Sequence, residues 1–126
     1  MATWSDVRNY LDSKYEIEIE TIKWITVDHA LSNGRSQSLV FLDHGEMAGE
    51  SWAGIGTVIG DERSVDLLQL LKMNASFDCG GIALLDDGTL MFQYAIRLDD
   101  LDEGELEDPI EIVASVGNEL SQRFAG

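Results

Sequence analysis

The groups best able to do chemistry in this chain are one thiol and two imidazoles, Cys79, His29 and His44. A cysteine nucleophile needs a lowered pKa and a base within reach. A small thiol enzyme would therefore use Cys79 with His44. The local sequence argues against it. No helix opens after Cys79 to lower its pKa, and both histidines fall in hairpin or loop segments of the first half. Phe77, Gly80, Gly81 and Ile82 around the thiol read as the entry to a strand. Free cysteine is among the most buried residue types. Cys79 is thus expected to be buried and structural, with Cys-Gly-Gly as the joint between a helix and a sheet.

Other chemistry fares no better. No Cys-x-x-Cys or His-x-x-x-His spacing is present to hold zinc. The acidic run "LDDLDEGELEDPIE" invites a calcium reading, but a calcium loop needs acids at its first, third and fifth positions. Counted from Asp100, the third position is Asp102 and the fifth is Gly104, so the template fails. Gly54, Gly56 and Gly60 in "GIGTVIG" miss the dinucleotide spacing. No Gly-x-Ser-x-Gly elbow occurs, and no aromatic cluster interleaved with Lys or Arg. No catalytic residue, metal ligand or cofactor is assigned, and a non-enzymatic protein is expected.

The bulk properties bound the partners. A chain of 126 residues is one domain, residues 1–126, large enough to bury a core without disulfides or metal. Its formal charge of −16 repels nucleic acid and anionic lipid, and suits a basic partner. The N-terminus "MATWSDVRNY" shows no signal peptide, and no apolar run approaches ~18 residues. A single cysteine is compatible with a reducing compartment, so a cytoplasmic location is the expectation.

The elements that must position these residues follow from periodicity and turn chemistry. Thr3 and Asp6 form a capping pair ahead of Trp4, Val7, Leu11 and Tyr15 at helical spacing. "EIEIETIKWITV" alternates as one strand with a phase slip near Thr21, read as a bulge. Asn33-Gly34 signals a hairpin into "SLVFL". "HGEMAGES" reads as a loop and "WAGIGTVIG" as a third strand. A second helix spans about Ser64 to Met73, with Asn74 suited to a left-handed end. "GGIALL" and "TLMFQYAI" form a hairpin around Asp87-Gly88. The last helix is expected to start with Asp108 as cap, Pro109 as first residue and Glu111 completing a capping box. The expectation is α+β: helix, three strands, helix, two strands, helix, with an antiparallel sheet flanked by the helices.

One feature points outward. Val65, Leu67, Leu68, Leu70 and Leu71 span roughly 220° of the second helix, whereas packing on a sheet needs about 100° or a little more. These five residues are the candidate contact of a homodimer. "LLKMNASFDCGGIALLDDGTLMFQYAIRLDDLDEGEL" also resembles the second half of the type III secretion chaperone-like superfamily, which includes the Tir-chaperone (CesT) and YbjN-like proteins. Leu70, Leu71 and Asn74, then Gly81, Leu84 and Gly88, then Leu98, Leu101 and Leu106 carry the likeness. The resemblance implies a small acidic homodimer whose middle helix helps form the dimer contact. It implies an extended client segment held without ATP in the chaperone members, and a regulatory adaptor without chaperone activity in a YbjN-like one. An antiparallel sheet with surface left open by three helices would leave room for an extended, basic and apolar client.

Overall fold

The computed structural model describes residues 3–99 and 101–125, without the side chains of Glu103 and Ala125. The chain runs α1 (Trp4–Lys14), β1 (Ile17–Glu20), β2 (Trp24–Ala30), β3 (Ser36–Met47), β4 (Glu50–Asp61), a 3-10 turn (Glu62–Ser64), α2 (Leu67–Asn74), β5 (Gly81–Leu84), β6 (Thr89–Arg97) and α3 (Glu103–Ala125). The strands form one antiparallel sheet in the order β1-β2-β3-β4-β6-β5. The fold is α+β, a six-stranded antiparallel sheet with three helices.

Four strands, not three, precede α2. The phase slip near Thr21 is a chain reversal. The Thr21 hydroxyl accepts from the N–H groups of Lys23 and Trp24, and the Thr21 N–H donates to the Trp24 carbonyl at 2.8 Å. A hydroxyl that satisfies the backbone two and three residues on favours a turn over a continued strand. A bulge does exist, but between Ile17 and Ile19. "HGEMAGES" is not a loop either. β3 runs to Met47 and β4 starts at Glu50, with Ala48 (φ 54) and Gly49 (φ 79) as a two-residue hairpin turn. Positive φ at both central residues matches the twist of the flanking strands, and alanine hid the signal because it seldom adopts that conformation.

The capping pair of α1 is present: the Asp6 N–H donates to Thr3 Oγ1 and the Thr3 N–H to Asp6 Oδ2. α2 is shorter than its apolar pattern, because Asp66 caps it by accepting from the N–H groups of Leu68 and Gln69. Asn74 is the last helical residue and is not left-handed; the cap that follows, Ala75, has φ −66. α3 begins at Glu103, so Pro109 lies inside it rather than at its start. Asp102 accepts from the Glu105 N–H at 2.8 Å in place of the expected cap at Asp108. Full burial of Leu106 draws these early turns onto the core. That contribution, about 1.5–3 kcal/mol for a buried leucine, helps offset the hydrogen bond that proline cannot make. Asp100 lies outside the described residues.

The sheet has two unlike sides. Residues paired across antiparallel strands project from the same face. Ile25, Phe41, Ile55 and Tyr94 form one rung, and Val27 pairs with Leu39 beside it. All but Tyr94 are buried. All three helices lie on this side. α3 crosses so closely that a Cβ on Gly117 would sit 2.2 Å from Thr57 Cγ2. α2 rests over β5 and β6 near Ile82, Leu84 and Leu90. α1 reaches the same layer through Tyr15, whose hydroxyl meets His29 of β2. Thr57, 1% exposed, is the one buried polar side chain in the described core, and it donates to the Ser38 carbonyl while accepting from Gln37 Nε2, both at 2.7 Å. The opposite side carries the rungs Trp24–Leu42–Gly54–Ala95 and Thr26–Val40–Gly56–Gln93 and has no helix over it.

Candidate functional site

Cys79 is exposed, contrary to the expectation that it is buried. Its strand-like neighbours mislead because β5 begins only at Gly81, and Gly80 turns the chain at φ 74 with Phe92 and the Gln93 carbonyl too close for a side chain. The thiol therefore sits in the loop outside the sheet. It lies near enough to the Tyr94 hydroxyl to influence it. Burial pushes the Tyr94 hydroxyl up from the ordinary phenol range, and Cys79 adds to the shift. His44 is elsewhere. Its imidazole folds over Gly54 on the helix-free side, where a Cβ on that glycine would meet Nε2. Tyr94, the neighbour of Cys79, projects from the helix-covered side with Ile55. Among the described residues no hydrogen bond joins Cys79 to His44, so the pair that thiol chemistry would need is not assembled.

The other imidazole has a setting the sequence did not signal. His29 Nδ1 meets the Tyr15 hydroxyl at 2.7 Å, and Nε2 meets Glu111 Oε1 at 2.8 Å. The three groups line a cleft of about 310 Å³ with Tyr10, Lys14 and Glu107. With Nε2 donating to the carboxylate, Nδ1 accepts from tyrosine. The order carboxylate, imidazole, hydroxyl is that of a nucleophile relay. Tyr15, however, is pushed up to about 12, chiefly by burial and then by Tyr10, Glu111 and Glu107. Such a phenol stays protonated and acts as a donor. The chain of bonds ties the end of α1 to β2 and α3.

The sign of its pH dependence follows. A phenol raised from 10.0 to about 12 in the folded protein lends stability that is fully present below pH 10 and is lost as pH rises toward 12. The unfolding midpoint of the protein is expected to fall through that window, and more steeply than in Tyr15→Phe. Parallel profiles for the two proteins would show that Tyr15 titrates as it does in the unfolded chain.

The candidate dimer residues divide. Leu70 is 6% exposed and belongs to the core, and Val65 is half-buried against it. Leu67, Leu68 and Leu71 are 44%, 61% and 68% exposed. Leu84 and Leu85 are exposed as well, and Leu67 and Leu71 share a groove with Ile82, Leu84 and Leu90. Asn74 closes the inner end of that groove. Its Oδ1 accepts from the Ile82 N–H at 2.8 Å and its Nδ2 donates to the Ile82 carbonyl at 3.3 Å. These are the two bonds a further strand would make at the outer edge of β5, so the amide stands in for a strand.

Among the described residues no cluster of His, Cys, Asp and Glu could hold a metal ion, and no helix is long and apolar enough to cross a membrane. No family model, no curated protein and no solved structure matches the chain.

Proposed function

We propose that this is a non-enzymatic, chaperone-like binding protein that acts as an acidic homodimer and holds an extended segment of a client polypeptide. One observation carries the reading: a short, well-capped helix turns Leu67, Leu68 and Leu71 to solvent beside Leu84 and Leu85. Contiguous exposed apolar patches on small proteins mark interaction sites. Each leucine fully covered contributes about 1.5–3 kcal/mol, enough for a few per subunit to hold a dimer. The resemblance to the secretion chaperone-like superfamily points the same way, with β1 as a strand beyond that layout. The thiol-enzyme alternative has no support in the placement of Cys79 and His44.

Light scattering coupled to gel filtration tests the assembly. The expected result is a dimer mass for the native chain and a monomer mass for Leu71→Asp with an unchanged circular dichroism spectrum. Leu70 is not a suitable position, since a charge there would strike the core. A strict monomer at high micromolar concentration would remove the homodimer.

A further inference from the structure

The helix-free side of the sheet is a second surface, apart from the α2 contact. It carries exposed apolar side chains, Ile19 on the edge strand β1, Trp24 at the start of β2 and Val58 toward the end of β4, 55%, 44% and 55% exposed, with Val40 and Leu42 half-buried between Trp24 and Val58 and the polar Thr26 and Gln93 beside them. Gly54 and Gly56 lower the floor along β4, with the His44 ring over Gly54 and Met91, Val40 and Gln93 side-chain atoms around Gly56. Six strands at ~4.8 Å spacing and ladders about seven residues long give a face of roughly 650 Å². That is near the ~800 Å² each partner contributes to a stable interface.

The rim decides what fits. Asp28 on the face, Glu16 and Glu18 along the β1 edge, and Glu46 by the β3–β4 turn are all exposed. Of the cations, Arg97 on the face is engaged by Glu50 at 3.9 Å, and Lys23 and Arg35 stand in the β1–β2 and β2–β3 turns. A second copy packed face to face would set the same acids, Asp28, Glu16, Glu18 and Glu46, against this rim, so self-packing here is opposed locally. Neither sheet edge invites strand addition. β1 is four residues long with glutamates, and β5 is clasped by Asn74. We infer that the helix-free face, not a sheet edge, is the docking surface for an extended polypeptide that sets apolar side chains over Val40, Leu42 and Val58 and basic ones toward the rim. This deepens the reading of the chain as a protein-binding module and rests on it.

The test uses the full-length protein and a short synthetic peptide in which leucine and lysine alternate, followed by tryptophan fluorescence and amide resonances. Saturable binding is expected, weakening as salt rises and shifting residues of β2, β3, β4 and β6. Val58→Lys is expected to weaken it about tenfold or more, and Val58→Thr to weaken it less, since a like charge facing the basic peptide adds to the lost apolar contact. Binding lost in Leu71→Asp but not in Val58→Lys would place the peptide on α2. That would overturn the face while leaving a protein-binding module. Equal binding of a leucine–glutamate peptide, or no binding by a chain that still has dimer mass, would also overturn it. Dimer mass, read on the same samples, reports separately on the homodimer.

Discussion

Gly117→Ala is expected to destabilise the protein by about 2 kcal/mol, even though alanine gains roughly 1 kcal/mol over glycine in a helix interior. The added methyl would lie 2.2 Å from Thr57 Cγ2 and 3.4 Å from Thr57 Cβ. Thr57 cannot rotate away freely, because its hydroxyl is held between the Ser38 carbonyl and Gln37 Nε2. α3 must lift from β4 instead, loosening the contact along a helix that also buries Ile110, Val113, Ala114 and Leu120. Thr57→Ser removes the offending methyl and keeps the hydroxyl. In the background of that change, Gly117→Ala is expected to be tolerated, giving a coupling of at least about 1 kcal/mol in denaturant titrations of the four proteins. A neutral Gly117→Ala, or additive effects in the cycle, would show that the helix is not seated on Thr57.

Asn74→Ala is expected to be the other large effect, costing about 1–3 kcal/mol for the Ile82 donor left without its partner. Ile82 is only half-buried, so part of the loss can be met by water and the lower half of that range is expected. The second consequence is assembly. With the amide gone, the outer edge of β5 is a free template, and concentration-dependent species beyond the native mass should appear in light scattering. Asn74→Asp separates the two bonds. Its carboxylate still accepts from the Ile82 N–H but faces the Ile82 carbonyl with no proton to offer. It is expected to cost stability at neutral pH and to recover as the carboxyl is protonated in acid. An Asn74→Ala protein with native stability and native mass would mean that the clasp guards nothing.

Asn74 also shows how far the sequence could be read. Its place at the end of an apolar helix suggested a helix terminus, which is correct, and a left-handed cap, which is not. The partner that explains it lies eight residues on, across a loop, on a strand edge that exists only once β5 has paired with β6. The same division holds for the acidic lead into α3. Asp108, Pro109 and Glu111 make a sound local helix start, yet Leu106 is buried and Asp102 caps, so the helix begins earlier.

What the sequence by itself determined is the set of features that depend on neighbours in the chain. The Thr3–Asp6 capping pair stands. The hairpin at Asn33-Gly34 stands, with Gly34 at positive φ and the Asn33 side chain accepting from the Arg35 N–H. So does the turn at Asp87-Gly88, where Asp87 accepts from the Thr89 N–H. Of the five residues drawn on one helical wheel, Val65 lies ahead of the Asp66 cap and outside α2, while Leu67, Leu68 and Leu71 do face solvent. The tertiary structure decided everything that depends on which faces meet. It put the three helices on one side of the sheet, left Trp24 and Val58 on the other, and joined His29 to Glu111 across 82 positions. It set Cys79 outside the sheet and His44 on its far side. Capping and turn bonds close over two to four residues and are written in residue types. The sidedness of a sheet is fixed by long-range strand pairing, where a one-residue change of register would have reversed every face.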